Sequence, residues 1–186
     1  MRIKSPCTEK EIRKLRVGDD VEIYGKIYTA RDRAHKWLLD LMKESKKSEF
    51  ELENCFIYHC GPLVKDNQII SAGPTTSARM NYIEPEIIQN YKIRGVIGKG
   101  SMDKRTQKAM QDVGAVYFLA TGGAAALLAE KLSVIRAYKP EFGMVESIWE
   151  LKAKGLPVIV TIDSQGNNLH EEIYNKSKRN LEKLLG

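Results

Sequence analysis

The sequence contains no apolar run long enough to cross a membrane, and its first residues, MRIKSPCTEKEI, lack the apolar core of a secretory signal. We therefore expect a cytoplasmic protein that does not associate with membranes. Internal repeats and low-complexity segments are also missing, and 186 residues suit one domain with a sizeable core. We expect a single domain over 1–186, with an amino-terminal segment over 1–14 and a helical tail over 170–186.

Cysteine is scarce: the chain has three, Cys7, Cys55 and Cys60, and no C-x2-C run. Cys7 lies far from the others, in what we expect to be a flexible start. Cys55 and Cys60 are five positions apart, and an odd separation on a strand points two side chains to opposite faces. This arrangement is a poor cradle for an iron–sulfur cluster. We expect Cys55 and Cys60 to be buried reduced thiols, and no metal or cofactor to be bound by this chain.

The net charge of +6 raises the question of nucleic acid, but basic residues are interleaved with acidic ones and no aromatic-basic stacking pattern accompanies them. We expect no nucleic-acid partner. A solvated surface explains most of the charge, and a funnel for dianionic substrates or an acidic partner is a second explanation. Nucleotide motifs are missing as well, because the chain has no G-x-G-x-x-G and GVIGKGS lacks the spacing of a P-loop.

Periods of two and of 3.6 residues alternate along the chain, which predicts an α/β domain. The turn TGGAAALLAE allows two readings, an anion-binding nest or small residues for close packing of a helix on a sheet. Strands are predicted near 20–28, 55–60, 68–72, 94–98, 115–120, 132–139 and 157–162, and helices near 31–46, 84–91, 103–113, 122–130, 145–153 and 171–184.

The stretch GPTTSARMNYIE, from Gly73 to Glu84, carries the strongest signal for a site. A Gly-Pro turn delivers two adjacent hydroxyls, Thr75 and Thr76, and Arg79 follows one helical turn later. If a helix begins at Thr76 or Ser77, its free N–H groups and Arg79 can converge on a carboxylate or phosphate. The alternative is that Thr76 only caps an ordinary helix.

Two further stretches carry candidate site residues. In GDDVEIYGKIYTARDRAH a strand pattern changes to a helical one at Arg31 and Asp32, and His35 lies one turn beyond Arg31. Asp32 is expected to pair with Arg31 or to cap the helix. In IRGVIGKGSM a short apolar strand leads to Lys99, whose flanking glycines let the backbone approach a ligand closely.

Six segments, in order and from about Leu15 to Leu169, resemble the β-subunit, or equivalent C-terminal domain, of class I iron–sulfur fumarate hydratases and L(+)-tartrate dehydratases. The chain departs from the family pattern at Asn81, where Asp is expected, and at Ser101, where a third glycine is usual. The matching segments are GDDVEIYGKIYTARDRAH, FIYHCGP, SAGPTTSARM, RGVIGKGSM, AVYFLATGGAAALLA and LPVIVTIDSQGNNL.

The resemblance implies a swivelling β/β/α domain, with a central mixed sheet and flanking helices. It implies an α-subunit partner that carries a [4Fe–4S] cluster, a small dicarboxylate substrate and a hetero-oligomer of higher order. The negative charge of the substrate carboxylates would be neutralised by Arg31, Arg79 and Lys99. Thr75 would sit where the family's proton-abstracting threonine sits, with Lys99 as its helper or as the base itself. His35 would orient the site or bind a carboxylate, or be a buried structural histidine.

The expected activity is the interconversion of malate with fumarate and water. The alternative within the family is dehydration of tartrate to oxaloacetate, because one pocket residue can decide whether the extra hydroxyl is accepted. A carboxylate-binding module without catalysis and a basic nucleic-acid-binding protein are the alternatives outside it.

Overall fold

A seven-stranded mixed sheet organises the chain in the computed structural model, which describes residues 1–185. The strands within that range are β1 (Arg2–Ser5), β2 (Asp20–Thr29), β3 (Phe56–Tyr58), β4 (Leu63–Lys65), β5 (Gln68–Ser71), β6 (Gly95–Gly98), β7 (Val116–Leu119), β8 (Leu132–Tyr138) and β9 (Ile148–Ile162). The α-helices are α1 (Glu9–Ile12), α2 (Asp32–Lys43), α3 (Glu84–Tyr91), α4 (Lys104–Val113), α5 (Ala125–Ala129) and α6 (Leu169–Leu185). Two 3-10 turns cover Ser77–Met80 and Pro140–Phe142.

The sheet closes on itself. Its strand order is β1-β2-β3-β6-β7-β9-β8, and the first five strands in that order run parallel. The long strand β9 runs antiparallel to β2, β7 and β8, and its pairing with both β2 and β7 joins β2, β3, β6, β7 and β9 into a ring. Strands β4 and β5 form a separate hairpin. The predicted α/β class with a central mixed sheet and flanking helices is confirmed.

Because side chains point alternately to the two faces of a strand, the strands of the ring contribute to two separate hydrophobic clusters. Phe56 and Tyr58 of β3 belong to one cluster, and Ile57 between them belongs to the other, which α2, α3 and α4 cover. The cysteines follow the same rule: Cys60 lies in the first cluster and Cys55 in the helix-covered one. Both are buried free thiols on opposite faces, as predicted.

Two expectations were wrong. The predicted helix over 145–153 is wrong, because 145–147 form a turn and 148–153 belong to β9. Leu151, Ala153 and Leu156 are buried while the intervening lysines are exposed, and β2 and β8 pair with this stretch from both sides. The start of the chain is not a flexible segment, since β1 pairs with β2 and Cys7 is buried. At the other end, α6 (Leu169–Leu185) covers the predicted helical tail over 170–186 except for residue 186, which lies outside the described residues. Among the described helices, none has the length and apolar character to cross a bilayer.

The alanine helix α5 supports the packing reading of the glycine-rich turn. Leu128 and Ala129 are buried, and the carbonyl of Ala125 accepts a hydrogen bond of 3.0 Å from the amide of Ala72. At five residues, the helix is too short to act as a strong dipole toward an anion.

Gly25 is the position where β2 tolerates no side chain. Its φ is +87°, and a Cβ there would lie 2.2 Å from the carbonyl oxygen of Ser5 in β1. Gly18 offers a matched control, because its φ is +90° but a Cβ would meet nothing within 4 Å. Gly18→Ala should cost about 1–2 kcal/mol of unfolding free energy through the positive φ alone. Gly25→Ala should cost roughly 1–3 kcal/mol more, because β1 must move. Urea denaturation of both variants measures this, and equal losses would contradict the close approach of β1.

Candidate active site

The candidate site lies where three parallel strands end. Arg31 follows β2, His59 follows β3 and Lys99 follows β6. Because these strands are parallel, their carboxyl ends share one edge of the sheet, which is where α/β proteins commonly bind ligands. Three residues that are far apart in sequence are thereby neighbours.

Residues 75–77 complete this edge by lying between the ends of β3 and β6. The amide of Thr75 donates to the carbonyl of His59 at 2.6 Å, and the carbonyl of Thr75 accepts from the amide of Lys99 at 3.2 Å. The amide of Ser77 then donates to the carbonyl of Lys99 at 3.1 Å. This ladder pairs Lys99 with Thr76 in parallel register and joins Thr75 to Lys99 through the carbonyl of Thr75, so the two predicted proton-transfer residues lie on adjacent segments of one edge.

The two arginines of the predicted clamp are each paired with a carboxylate of the chain. The Nε atom of Arg31 lies 3.4 Å from a carboxylate oxygen of Glu146, and Arg79 donates to Asp32. Asp32 therefore pairs with Arg79 and not with Arg31, contrary to expectation. Because Asp32 directly follows Arg31, this pair draws Arg79 toward the start of α2, so both arginines belong to the same edge.

Most of this edge is open to solvent. Arg79 and Lys99 are exposed and Arg31 is partly buried. Within residues 1–185, Lys99 has no carboxylate at salt-bridge distance. The edge is thus a cation-bearing face and not an enclosed pocket.

Thr75 and Thr76 occupy different environments. Thr75 is partly buried, whereas Thr76 is exposed. Thr76 holds the N-cap position of the 3-10 turn Ser77–Met80, but its side chain makes no capping hydrogen bond, so the expected cap is wrong. The expected helix here is a single 3-10 turn, which leaves the charged side chains as the main source of anion affinity.

His35 lies beneath the face and is fully buried. Its Nδ1 is 2.8 Å from the carbonyl oxygen of Arg31, and its Nε2 is 2.8 Å from Oε2 of Glu84 in a contact too bent for a regular hydrogen bond. His59 reaches the same Oε2 at 3.1 Å through its Nε2. With both ring nitrogens engaged inside the protein, this placement favours the buried structural alternative for His35 over contact with substrate.

Sequence reasoning missed His59 and Glu84. Both are fully buried polar residues that partner His35, although their sequence neighbours give no periodic signal for a shared site. Only the meeting of β3 with the start of α3 brings them together. A buried carboxylate needs partners, and here two imidazoles provide them.

The three side chains shift one another's pKa. Burial alone would lower the pKa of His35, but the Glu84 carboxylate beside it raises that pKa above its ordinary value. Burial lowers the pKa of His59, and Glu84 offsets this only in part. Burial would raise the pKa of Glu84, but the two histidines bring it well below its ordinary range. These pKa directions favour the charged forms of Glu84 and His35 and the neutral form of His59.

The cysteines do not fit an iron–sulfur cluster. Burial raises the pKa of Cys60 to about 12 and that of Cys55 to about 11, which favours the protonated thiol over the thiolate ligand. They also lie in different hydrophobic clusters, on opposite faces of the sheet.

These features define an α/β domain with an open cationic face at the carboxyl ends of its parallel strands. The family model described as Fumarase C-terminus matches residues 1–173. The chain belongs to this family of β-subunits and equivalent C-terminal domains, as its resemblance to them indicated.

Three named relatives support the same family assignment. The chain is 44% identical over 186 residues to a Methanocaldococcus jannaschii protein provisionally named L(+)-tartrate dehydratase subunit beta, covering 96% of this chain and 95% of that one. It is 34% identical over 176 residues to the L(+)-tartrate dehydratase subunit beta of Escherichia coli, covering 91% of this chain and 86% of that one. A Geobacillus stearothermophilus protein provisionally named fumarate hydratase class I is 42% identical over 188 residues, covering 98% of this chain but 35% of that one.

The buried histidines predict an optimum in stability near their ordinary pKa of 6.5. His59 resists protonation when folded, so the stability it contributes is present above 6.5 and is lost on acidification. His35 has the opposite sign: its contribution is present below 6.5 and is lost as the pH rises through its raised folded pKa. Urea midpoints should therefore fall toward both about pH 5 and about pH 8.5. His170→Gln removes the third histidine and should keep both limbs, while a steady rise across the range would contradict the charged state of His35.

Proposed function

We propose that this chain is the β-subunit of a two-subunit hydro-lyase that interconverts malate with fumarate and water. The chain belongs to a family whose named members are dehydratases and fumarate hydratases. One observation carries the proposal: a backbone hydrogen bond joins Thr75 to Lys99 at the sheet edge where Arg31 and Arg79 also lie.

The three cations match the charge that the reaction develops. A dicarboxylate substrate carries two negative charges, and removal of a proton beside one carboxylate adds a third in an aci-carboxylate. Arg31, Arg79 and Lys99 would balance these charges, and the fork of a guanidinium suits a carboxylate. Substrate would displace Glu146 from Arg31 and Asp32 from Arg79, so both arginines are held in place before it arrives.

Thr75 is the proposed group for proton abstraction. A free threonine hydroxyl is a weak base, so it needs a nearby cation to stabilise its deprotonated form. Lys99, one ladder step away, supplies that charge, or takes the proton itself once a partner has excluded water from it. His35 contributes from beneath by holding the carbonyl of Arg31.

We propose that an α-subunit covers the open face and brings the [4Fe–4S] cluster of this enzyme class, in a cytoplasmic hetero-oligomer of higher order. The unsuitable cysteines of this chain and the exposure of Arg79 and Lys99 support this division. No nucleic acid or membrane has a part in the proposal.

Tartrate is the second candidate substrate. The observation that favours it is the name of the Methanocaldococcus jannaschii and Escherichia coli relatives, which this chain matches over most of their length. Tartrate and malate differ by one hydroxyl, and the cationic face would bind the carboxylates of either.

The proposed function is tested by co-expressing the chain with a candidate α-subunit and assaying malate and tartrate side by side without oxygen. We expect the isolated chain to be colourless and inactive, and the complex to dehydrate malate. Robust malate dehydration by the isolated, iron-free chain would overturn the two-subunit proposal. Faster turnover of tartrate would transfer the proposal to that substrate, and dicarboxylate binding without turnover would identify a binding module.

Thr75→Val should remove the proposed base while keeping its shape. In the active complex we expect kcat to fall by roughly 10²- to 10⁴-fold, the usual contribution of a positioned base, with little change in KM. Thr76→Val is the matched control, and it should affect neither kcat nor the melting temperature much, because Thr76 is exposed and makes no cap. A parental rate for Thr75→Val would pass the proton-transfer role to Lys99.

A further inference from the structure

A fully buried hydrogen-bonded chain lies directly beneath the cationic face. We call it the buried network; its members all have 0% exposure and are His35, His59, Ser77, Glu84 and Tyr117. The proposed chemistry uses none of them directly, although five polar side chains in a core are costly unless they are satisfied.

One arrangement of protons accounts for the contacts of the buried network, in which Oε1 of Glu84 has no partner. Tyr117 donates to Oγ of Ser77 at 2.8 Å, and Oγ of Ser77 lies 2.8 Å from Nδ1 of His59. If Ser77 donates to Nδ1, then His59 is neutral and carries its proton on Nε2, which faces Glu84 at 3.1 Å. A His59 protonated on Nδ1 would donate to Ser77, which would leave the hydroxyl of either Ser77 or Tyr117 without an acceptor in the core.

The other side of Glu84 accommodates a charged histidine. His35 can donate from Nδ1 to the carbonyl of Arg31 and direct a second proton at Nε2 toward Glu84. One positive charge on His35 then balances the negative charge of Glu84, so the triad has no net charge. A neutral triad is the arrangement that a fully buried site tolerates best.

Each end of the buried network is attached to a segment of the candidate site. The backbone amide and the ring of His35 both reach the carbonyl of Arg31, at 2.9 and 2.8 Å. The carbonyl of His59 accepts from Thr75, and the amide of Ser77 donates to the carbonyl of Lys99. The network thus joins the start of α2 to the ladder of residues 75–77.

Ser77 also packs closely against the end of β6. A Cβ on Gly98, the residue before Lys99, would lie 1.9 Å from Oγ of Ser77 and 3.0 Å from the hydroxyl of Tyr117. The glycine therefore lets the strand end approach the serine closely, so that movement of Ser77 would move Lys99.

We propose that the buried network, with His35 as its one positively charged ring, is a positioning device that sets the distance between Arg31 and the hydrogen-bonded residues Thr75 and Lys99. The inference rests on the proposed function for what these residues do, but the proton arrangement and the backbone positions can be measured without turnover. His35, His59, Ser77 and Glu84 are positioning residues and do not touch substrate.

A metal site is the other reading of the same side chains. Ligand atoms of His35, His59 and Glu84 lie within 4.8 Å of one another. The proton arrangement is favoured because each ring nitrogen already has a partner or a charge to face, and because all three residues have 0% exposure, which leaves an ion no open path of entry. Bound metal is therefore an outcome of the test.

The first test is ¹⁵N–¹H NMR of the imidazoles in the full chain. The chain has only three histidines, so His170→Gln leaves the two signals of interest. We expect His35 to carry protons on both nitrogens and His59 on Nε2 alone at neutral pH. A doubly protonated His59, two neutral rings, or stoichiometric metal in the purified chain by elemental analysis would overturn the proposal.

The second test is Ser77→Ala, which removes one hydroxyl from the buried network. We expect the amide signals of Thr75, Lys99 and His35 to shift, and kcat/KM of the complex to fall roughly 10- to 100-fold through misplacement. Ser164→Ala is the matched control, since Ser164 is a buried serine whose hydroxyl has no partner; it should change neither. If Ser77→Ala does not fold, Tyr117→Phe should give a smaller effect in the same direction.

The two tests separate the possible failures. In Ser77→Ala, the His59 ring signal could shift while the amide signals of Thr75 and Lys99 stay in place, which would show that the network has only a structural role. A kcat/KM within about twofold of the parent would show the same. A parental complex without turnover on malate or tartrate would overturn the proposed function, while the ring and amide signals would still decide the positioning claim.

Discussion

The site depends on the short ladder by which residues 75–77 lie between the ends of β3 and β6. Its three backbone hydrogen bonds join Thr75 and Ser77 to the residues that follow β3 and β6, and Ser77 is buried in the core. The ladder exists because β2, β3 and β6 are parallel and end at one edge, and that arrangement follows from the closure of the sheet by β9. Arg31, Thr75 and Lys99 are far apart in the sequence, and only the fold brings them to one surface.

Charge is divided between the surface and the core in a consistent way. At the sheet edge, Arg31 is paired with Glu146 and Arg79 with Asp32, and the proposed substrate would displace these carboxylates. In the core, Glu84 is held by two histidines and has no route to substrate. The Arg79–Asp32 pair can exchange partners, because solvent screens it and the net energy of an exposed ion pair is small. The buried triad cannot exchange, and it suits the fixed part of the site. An exposed cationic face supported by a rigid buried triad is what we expect where a second subunit completes the site.

Much of the fold could be predicted because β2 and α2 carry clear periodicity and β6 is a short apolar run between glycines. The misassigned stretch over 145–153 fails for a physical reason: Ile148 and Leu151 are spaced like a helix, and only pairing with β2 and β8 makes it a strand. Glycine-rich turns and strand-to-helix junctions were the sequence signals for the candidate site residues Arg31, Thr75, Arg79 and Lys99. His59 and Glu84 were not predictable, because a buried pair is defined by contact between distant segments. The role of Thr76 was mistaken because a 3-10 turn of four residues replaced the expected helix.

The central claim is that the cationic face binds the substrate carboxylates, and Arg79→Lys in the active complex tests it most directly. Lysine keeps the charge but cannot reproduce the bidentate fork. Loss of one hydrogen bond to a charged group, about 1.5–3 kcal/mol, predicts a fall of roughly 10- to 150-fold in kcat/KM. Arg105→Lys, at an exposed arginine paired with Glu86, should leave kcat/KM unchanged. A near-parental kcat/KM for Arg79→Lys, with both proteins equally folded, would show that Arg79 does not bind substrate and would contradict the account.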